Sequence, residues 1–154
     1  MSVFFVIGFG LAFGFFLIFL IALSDRKRKI QKLPESFQSP IQFYRSCLDL
    51  IDAMKLELIE KEEKGNQIDI MAQNPAPITG GLLLIRGLFL SPSSVVEISQ
   101  ILEFSSMVLQ ERVTKGIFIT TGEFSPELKT VIELAPIEFI DGKKFLALRE
   151  KYYL

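Results

Sequence analysis

Apolar residues follow three rhythms along the chain, and each rhythm marks a different kind of element. Positions 3–23, VFFVIGFGLAFGFFLIFLIAL, carry no charge and no strongly polar side chain. A helix of that length, at roughly 1.5 Å per residue, reaches about 30 Å, the hydrocarbon thickness of a bilayer. No basic residue precedes the run, and no small-x-small cleavage pattern closes it. Its apolar part also exceeds the ~7–15 residues of a signal core. The sequence therefore predicts an uncleaved transmembrane anchor over 1–24.

Residues 25–39 are polar and end at Ser39-Pro40, which reads as a linker. Beyond it the spacing becomes helical. In IQFYRSCLDLIDAM, Phe43, Cys47, Leu50, Ile51 and Met54 fall on one face, with Ser39 as cap and Pro40 in the first turn. The spacing then drops to two. KLELIEK places Leu56 and Leu58 on one side of a strand, EKGN is a turn, and QIDIMA sets Ile68 and Ile70 against Asp69 and Met71. QNPAPITGG is a connection, and LLLIRG is the continuous apolar run of a central strand.

A second helical stretch follows over 94–112, with a serine cap at 93 or 94 and Glu97 three or four residues on. GIFIT is another strand, entered from that helix through Gly116. Ser125, Pro126 and Glu127 open a short helix that ends before Pro136. IEFIDG is a last strand with an Asp-Gly turn, and KKFLALREKYYL a last helix. Three strands in meander run antiparallel, while the later crossovers through helices demand parallel neighbours. The expected fold class is α/β: a mixed sheet flanked by helices on both faces over 40–154, preceded by one transmembrane helix.

Charge sharpens this division. Residues 25–33 hold five basic side chains and one acidic one, leaving 12 basic against 17 acidic elsewhere. A basic juxtamembrane strip after the span, with nothing basic before it, predicts a single-pass cell-membrane protein whose C-terminal domain faces the cytoplasm. The acidic domain is a poor electrostatic match for strong non-specific DNA binding. Gly10 and Gly14 form a GxxxG, a candidate helix-dimer face. Cys47 is the one cysteine, so no disulfide framework exists. There is no histidine, which excludes His-dependent triads, histidine general bases and the usual zinc sites.

Two linked motifs carry a family resemblance. KGIFITTGEFSPE, residues 115–127, resembles a Lys-Gly-Val/Ile-x-x-Thr-Thr-x-x-Phe-Ser strand and helix start, and IEFIDGKKFLAL a closing Leu-Ile-Asp-Gly-x-x-Leu strand and helix. Both are similar to the Mrr-type restriction endonucleases of the PD-(D/E)xK nuclease fold, over roughly residues 40–154. The resemblance implies Mg²⁺ as cofactor, held by an aspartate on one strand and a Glu/Gln-x-Lys on the next, two residues apart so that both side chains share a face. Asp69 matches the aspartate. The second motif reads Leu84-Ile85-Arg86, and the glutamate that many members carry on the first helix falls at about Tyr44.

Leucine offers no oxygen to a metal, and arginine does not give up a proton near neutral pH. The departures point to a degenerate site in which Asp69 and Arg86 are vestigial catalytic candidates, Asp69 the weak metal candidate, and a salt bridge the simpler expectation. No cofactor is then needed; Mg²⁺ belongs to the alternative of an active endonuclease with a rearranged site. Glu57, Glu60, Glu62 and Glu63 are available substitutes, although the last three surround a charged turn. Thr120, Thr121, Ser125 and Lys115 are the candidate phosphate or DNA contacts, because backbone N–H groups at the Ser125 helix start could receive an anion. The competing account is that these hydroxyls satisfy local backbone groups. Lys129, Lys143 and Lys144 complete a possible basic patch. Membrane, DNA and a protein partner all remain open as binding partners.

Overall fold

Ser39 ends the linker as a helix cap should: its hydroxyl accepts from the Gln42 N–H at 3.3 Å, and Pro40 occupies the first turn of α1, Pro40–Ala53. This computed structural model describes residue 34 and residues 37–78, 80–91, 93–128, 135–152 and 154. The expected span over 3–23, Gly10 and Gly14, the basic strip and Lys129 lie outside them, as does most of the helix expected after Ser125. Among the described residues no helix is long and apolar enough to cross a membrane.

Five strands form one sheet in sequential order: β1 Glu57–Lys64, β2 Gln67–Asn74, β3 Gly81–Leu88, β4 Lys115–Thr120 and β5 Ile137–Ile140. β1 to β3 are an antiparallel meander, and β3, β4 and β5 are parallel. The crossover between β3 and β4 contains α2, Ile98–Gln110, and α3, Gly142–Lys151, follows β5. The chain is thus the mixed α/β sheet flanked by helices that the periodicity predicts.

Alternation along the strands divides the core into two layers. Ile68, Ile70, Ala72, Ile85, Ile117, Ile119 and Ile140 face one side, where Phe43, Cys47, Leu50 and Ile51 of α1 and Phe145 of α3 cover them. Leu84, Leu88 and Phe118 face the other and meet Ile101, Phe104 and Val108 of α2. Each buried side chain of this size contributes about 1.5–3 kcal/mol by leaving water. Burial pushes the Cys47 thiol well above its usual range, so it packs as an apolar residue.

Four local expectations are corrected. α2 starts at Ile98 with Glu97 as cap, in a capping box with Gln100, instead of at Ser93 or Ser94. The reason is that residues just before it are engaged elsewhere: Glu123 N–H donates to Ser94 and Val96 N–H to Glu123, a parallel bridge at Val95. Asp141-Gly142 makes a helix cap instead of a turn, with the Asp141 carboxylate accepting from Lys144 N–H at 2.8 Å. Gly116 is required for close approach, not for turning: a Cβ there would lie 2.6 Å from Val108 Cγ2. The turn out of α2 is made by Arg112, at φ +51°.

The fourth correction lies in β1. Leu58 pairs with Ala72, but Glu60 pairs with Met71, so Ile59 is a bulge. Residues opposite one another in an antiparallel pair share a face. The extra residue therefore turns Glu60, Glu62 and Lys64 away from the side on which Leu58 starts and onto the side of Asp69. Simple alternation would have sent them the other way.

Candidate functional site

One row of residues crosses the sheet. Glu62 of β1 stands opposite Asp69 of β2, Asp69 opposite Arg86 of β3, Arg86 beside Phe118 of β4, and Phe118 beside Phe139 of β5. α2 lies over the aromatic part of this row. The acidic part is left open as a cleft of about 280 Å³ between β1, β2, β3 and the α2 side chains Glu103 and Met107.

Asp69 and Arg86, the vestigial catalytic candidates, are brought into direct contact. Arg86 Nε donates to Asp69 Oδ1 at 2.7 Å and its Nη2 to Oδ2 at 2.9 Å, a two-point carboxylate–guanidinium fork. Gln67 Nε2 adds a third donor to Oδ2 at 2.8 Å. The arginine side chain is 2% exposed and the aspartate 13%. The remaining guanidinium contacts come from α2. Glu103 Oε1 accepts from Nη1 at 3.3 Å, Met107 Sδ accepts from Nη2 at 3.0 Å, and the Phe104 ring lies 5.4 Å from the guanidinium carbon. Glu103, Met107, Phe104 and Gln67 were not among the sequence candidates. The signal for them was an arginine inside an apolar run, since a buried charge requires counter-charges and hydrogen bonds.

This donor set does not fit Mg²⁺. Both Asp69 oxygens accept from a cation already, and Leu84 contributes no oxygen. Glu62 turns to Lys64 at 2.9 Å, which raises the lysine's pKa, and Glu103 turns to Arg86. Among the described residues no three His, Cys, Asp or Glu side chains come together as metal ligands. Glu57 and Glu63 stand elsewhere, opposite Gln73 and Ile68. Tyr44, at the first-helix glutamate position, donates its hydroxyl to the hairpin carbonyl of Gly65 at 2.7 Å, and burial raises its pKa.

The phosphate-contact candidates do not form one site. Thr120 Oγ1 donates to Leu88 O at 3.0 Å and accepts from Gly122 N–H at 3.0 Å. Thr121 Oγ1 donates to Leu90 O at 2.6 Å and accepts from Leu90 N–H at 2.8 Å. Both threonines are buried, and their hydroxyls tie the exits of β3 and β4 together. Ser125 Oγ accepts from Glu127 N–H at 3.3 Å. Lys115 is at the opposite end of β4 from the two threonines, paired with Glu138 at 2.7 Å.

Glu138 also accepts from Lys144 at 2.7 Å, and the two lysine hydrogen bonds hold its carboxyl below the usual value. A lowered folded pKa contributes stability above the unfolded value of about 4.5, and the contribution is lost as pH falls through the folded pKa. Glu138→Gln is expected to destabilise the protein at neutral pH, with its difference from wild type shrinking as pH falls below about 4.5 and through the lowered folded pKa. Urea melts across pH check this; a constant difference down to pH 3 contradicts it.

Residues 37–149 match the Mrr_cat family model, described as a restriction endonuclease. No curated protein matches. Among solved structures the chain is similar to the MspJI restriction endonuclease in complex with a 27-mer oligonucleotide, at 16% identity and a TM-score of 0.47 over 83% of this chain and 30% of that one. It is also similar to the DNA modification-dependent restriction endonuclease AspBHI, at 8% identity and a TM-score of 0.48 over 72% and 31%. The chain spans less than a third of the length of either enzyme.

Proposed function

Because the chain belongs to the Mrr_cat restriction endonuclease family, we propose that it is a non-cutting member of that family, held at the cytoplasmic face of the cell membrane by residues 1–24, where its domain over 40–154 binds a partner. The basic strip within 25–39 sets this orientation and touches anionic lipid. The observation that carries the non-cutting reading is the two-point grip of Arg86 on both oxygens of Asp69. With both Asp69 oxygens held by Arg86, the aspartate that would anchor a metal for the water activation of phosphodiester cleavage in this fold is already engaged.

The cleft favours a protein partner over nucleic acid. Glu60, Glu62, Asp69, Glu103 and Glu111 line it against Lys64 and Arg86. A phosphate backbone is repelled by such a surface. DNA binding, if it occurs, uses the lysines near Glu138 and α3 instead. A gel-shift series at rising salt separates the two: a protein-binding domain leaves DNA unshifted even at low salt.

One observation favours the second reading, a Mg²⁺-dependent endonuclease with a rearranged site. The β1 bulge sets Glu62 and Lys64, in Glu-x-Lys spacing, on the Asp69 side of the sheet. Plasmid cleavage by the purified full chain in Mg²⁺ or Mn²⁺, beside Asp69→Asn, decides between them. The expected result is no nicking by either; nicking by wild type that Asp69→Asn abolishes establishes the second reading.

A further inference from the structure

The surroundings of Arg86 are suited to a guanidinium and to little else. Its guanidinium carbon lies over the Phe104 ring, 5.4 Å from the centroid, an arrangement that attracts a weakly hydrated cation. Met107 sulfur takes one N–H, the Asp69 carboxylate takes two in parallel, and the Glu103 carboxylate takes one from the cleft side. A lysine ammonium reproduces neither the parallel pair nor the flat contact. A hydrated divalent ion, which demands oxygen ligands, gains nothing from a thioether and an aromatic face.

Position and chemistry together go beyond the loss of a metal site. We propose that the Arg86 guanidinium is the resident cation of this cleft: by holding both Asp69 oxygens it takes the charge-neutralising role that a divalent ion takes in a cutting member of the family, and so closes the cleft to Mg²⁺. The inference rests on the non-cutting reading. In this arrangement Asp69 is oriented and hydrogen-bonded without any metal, and its geometry does not depend on divalent-ion concentration. An ion approaching either Asp69 oxygen meets a fixed positive charge in front of the carboxylate, whose two forward-facing lone pairs are already in use.

Mn²⁺ titration of the full-length chain in detergent micelles, followed by electron paramagnetic resonance, tests this together with thermal melts. Wild type is expected to bind no stoichiometric Mn²⁺, and its melting temperature is expected to be the same in Mg²⁺ and in EDTA. Arg86→Ala is expected to melt roughly 10 °C lower, as for a broken buried ion pair. Methylguanidinium at millimolar concentration restores several degrees to that variant and none to wild type; methylammonium stabilises neither. Should Arg86→Ala not fold, Arg86→Lys takes its place, expected to fold, to melt several degrees below wild type and still to bind no Mn²⁺. One Mn²⁺ per wild-type chain that Asp69→Asn removes overturns the proposal. So does an Arg86→Lys variant as stable as wild type. Nicking of plasmid without Mn²⁺ bound at Asp69 refutes only the non-cutting reading, and bound Mn²⁺ without nicking refutes only this one.

Discussion

Arg86→Met alone is expected to lower folding stability by about 3–5 kcal/mol, and adding Asp69→Leu in the same chain to return most of that loss. Methionine keeps the length of the arginine stem and can still touch Phe104 and Met107, so the single variant isolates the charge. What it leaves behind is the Asp69 carboxylate, nearly enclosed, with Gln67 still donating to it. A largely buried anion without a counter-cation costs far more than the hydrogen bonds themselves contribute. Replacing both partners by apolar residues of similar volume removes the cost along with the attraction. Asp69→Leu alone, which strands the guanidinium with Glu103 as its carboxylate partner at 3.3 Å, completes the cycle and is expected to be comparably damaging. Urea denaturation of the four chains gives the coupling energy directly. Independent, additive losses under about 1 kcal/mol each would mean that the pair is solvated and that the cleft floor is not as enclosed as its exposure indicates.

The faces of the elements were legible wherever period and burial agree. Ile68 and Ile70 against Asp69 and Met71, the α1 stripe from Phe43 to Ile51, and the β3 run from Leu84 on lie where their spacing puts them, while Leu82 at the start of that run is exposed. α2 was only half legible. Ile101, Phe104 and Val108 are buried, but Ile98, Leu102 and Leu109 stand exposed although they are equally apolar. A helix that packs on one side of a sheet offers a single contact face, and its sequence was apolar around more of the circumference than that face can use.

The cleft was harder to foresee, and for a different reason. A bulge at Ile59 has no local mark, because Leu58 and Ile59 are equally apolar and either could be the extra residue. Yet that one residue decides whether Glu60, Glu62 and Lys64 share a side with Asp69. The Asp69–Arg86 pair was visible in outline, since two charged residues in adjacent apolar strands need one another. Their third and fourth neighbours on α2 depend on helix placement, which no motif encodes. The two threonines show the opposite case: residue types that suit phosphate were present, but their hydroxyls are spent on the backbone of the neighbouring strand's exit. Local polar groups that must be satisfied inside the fold take precedence over a ligand.

Phe118→Ala is expected to be the most damaging apolar substitution near the cleft, at about 3–5 kcal/mol and a fall in melting temperature on the order of 10 °C. Phe118 is fully buried and is the hub for three other rings. Phe104 meets it edge-on at 5.3 Å, Phe124 edge-on at 5.8 Å, and Phe139 stacks at 6.4 Å. Such pairs add about 0.5–1.5 kcal/mol beyond the area they bury, and their loss comes on top of the cavity left behind. Because Phe104 also lies against the Arg86 guanidinium, the damage extends to the ion pair: the ring that backs Arg86 loses its own support. Phe118→Leu, which keeps most of the volume, is expected to cost roughly 1–1.5 kcal/mol. Thermal and urea melts of both variants measure the difference. A loss under about 1 kcal/mol for alanine would place the support of Phe104, and through it the rigidity of Arg86, in α2 alone rather than in the row of residues that crosses the sheet.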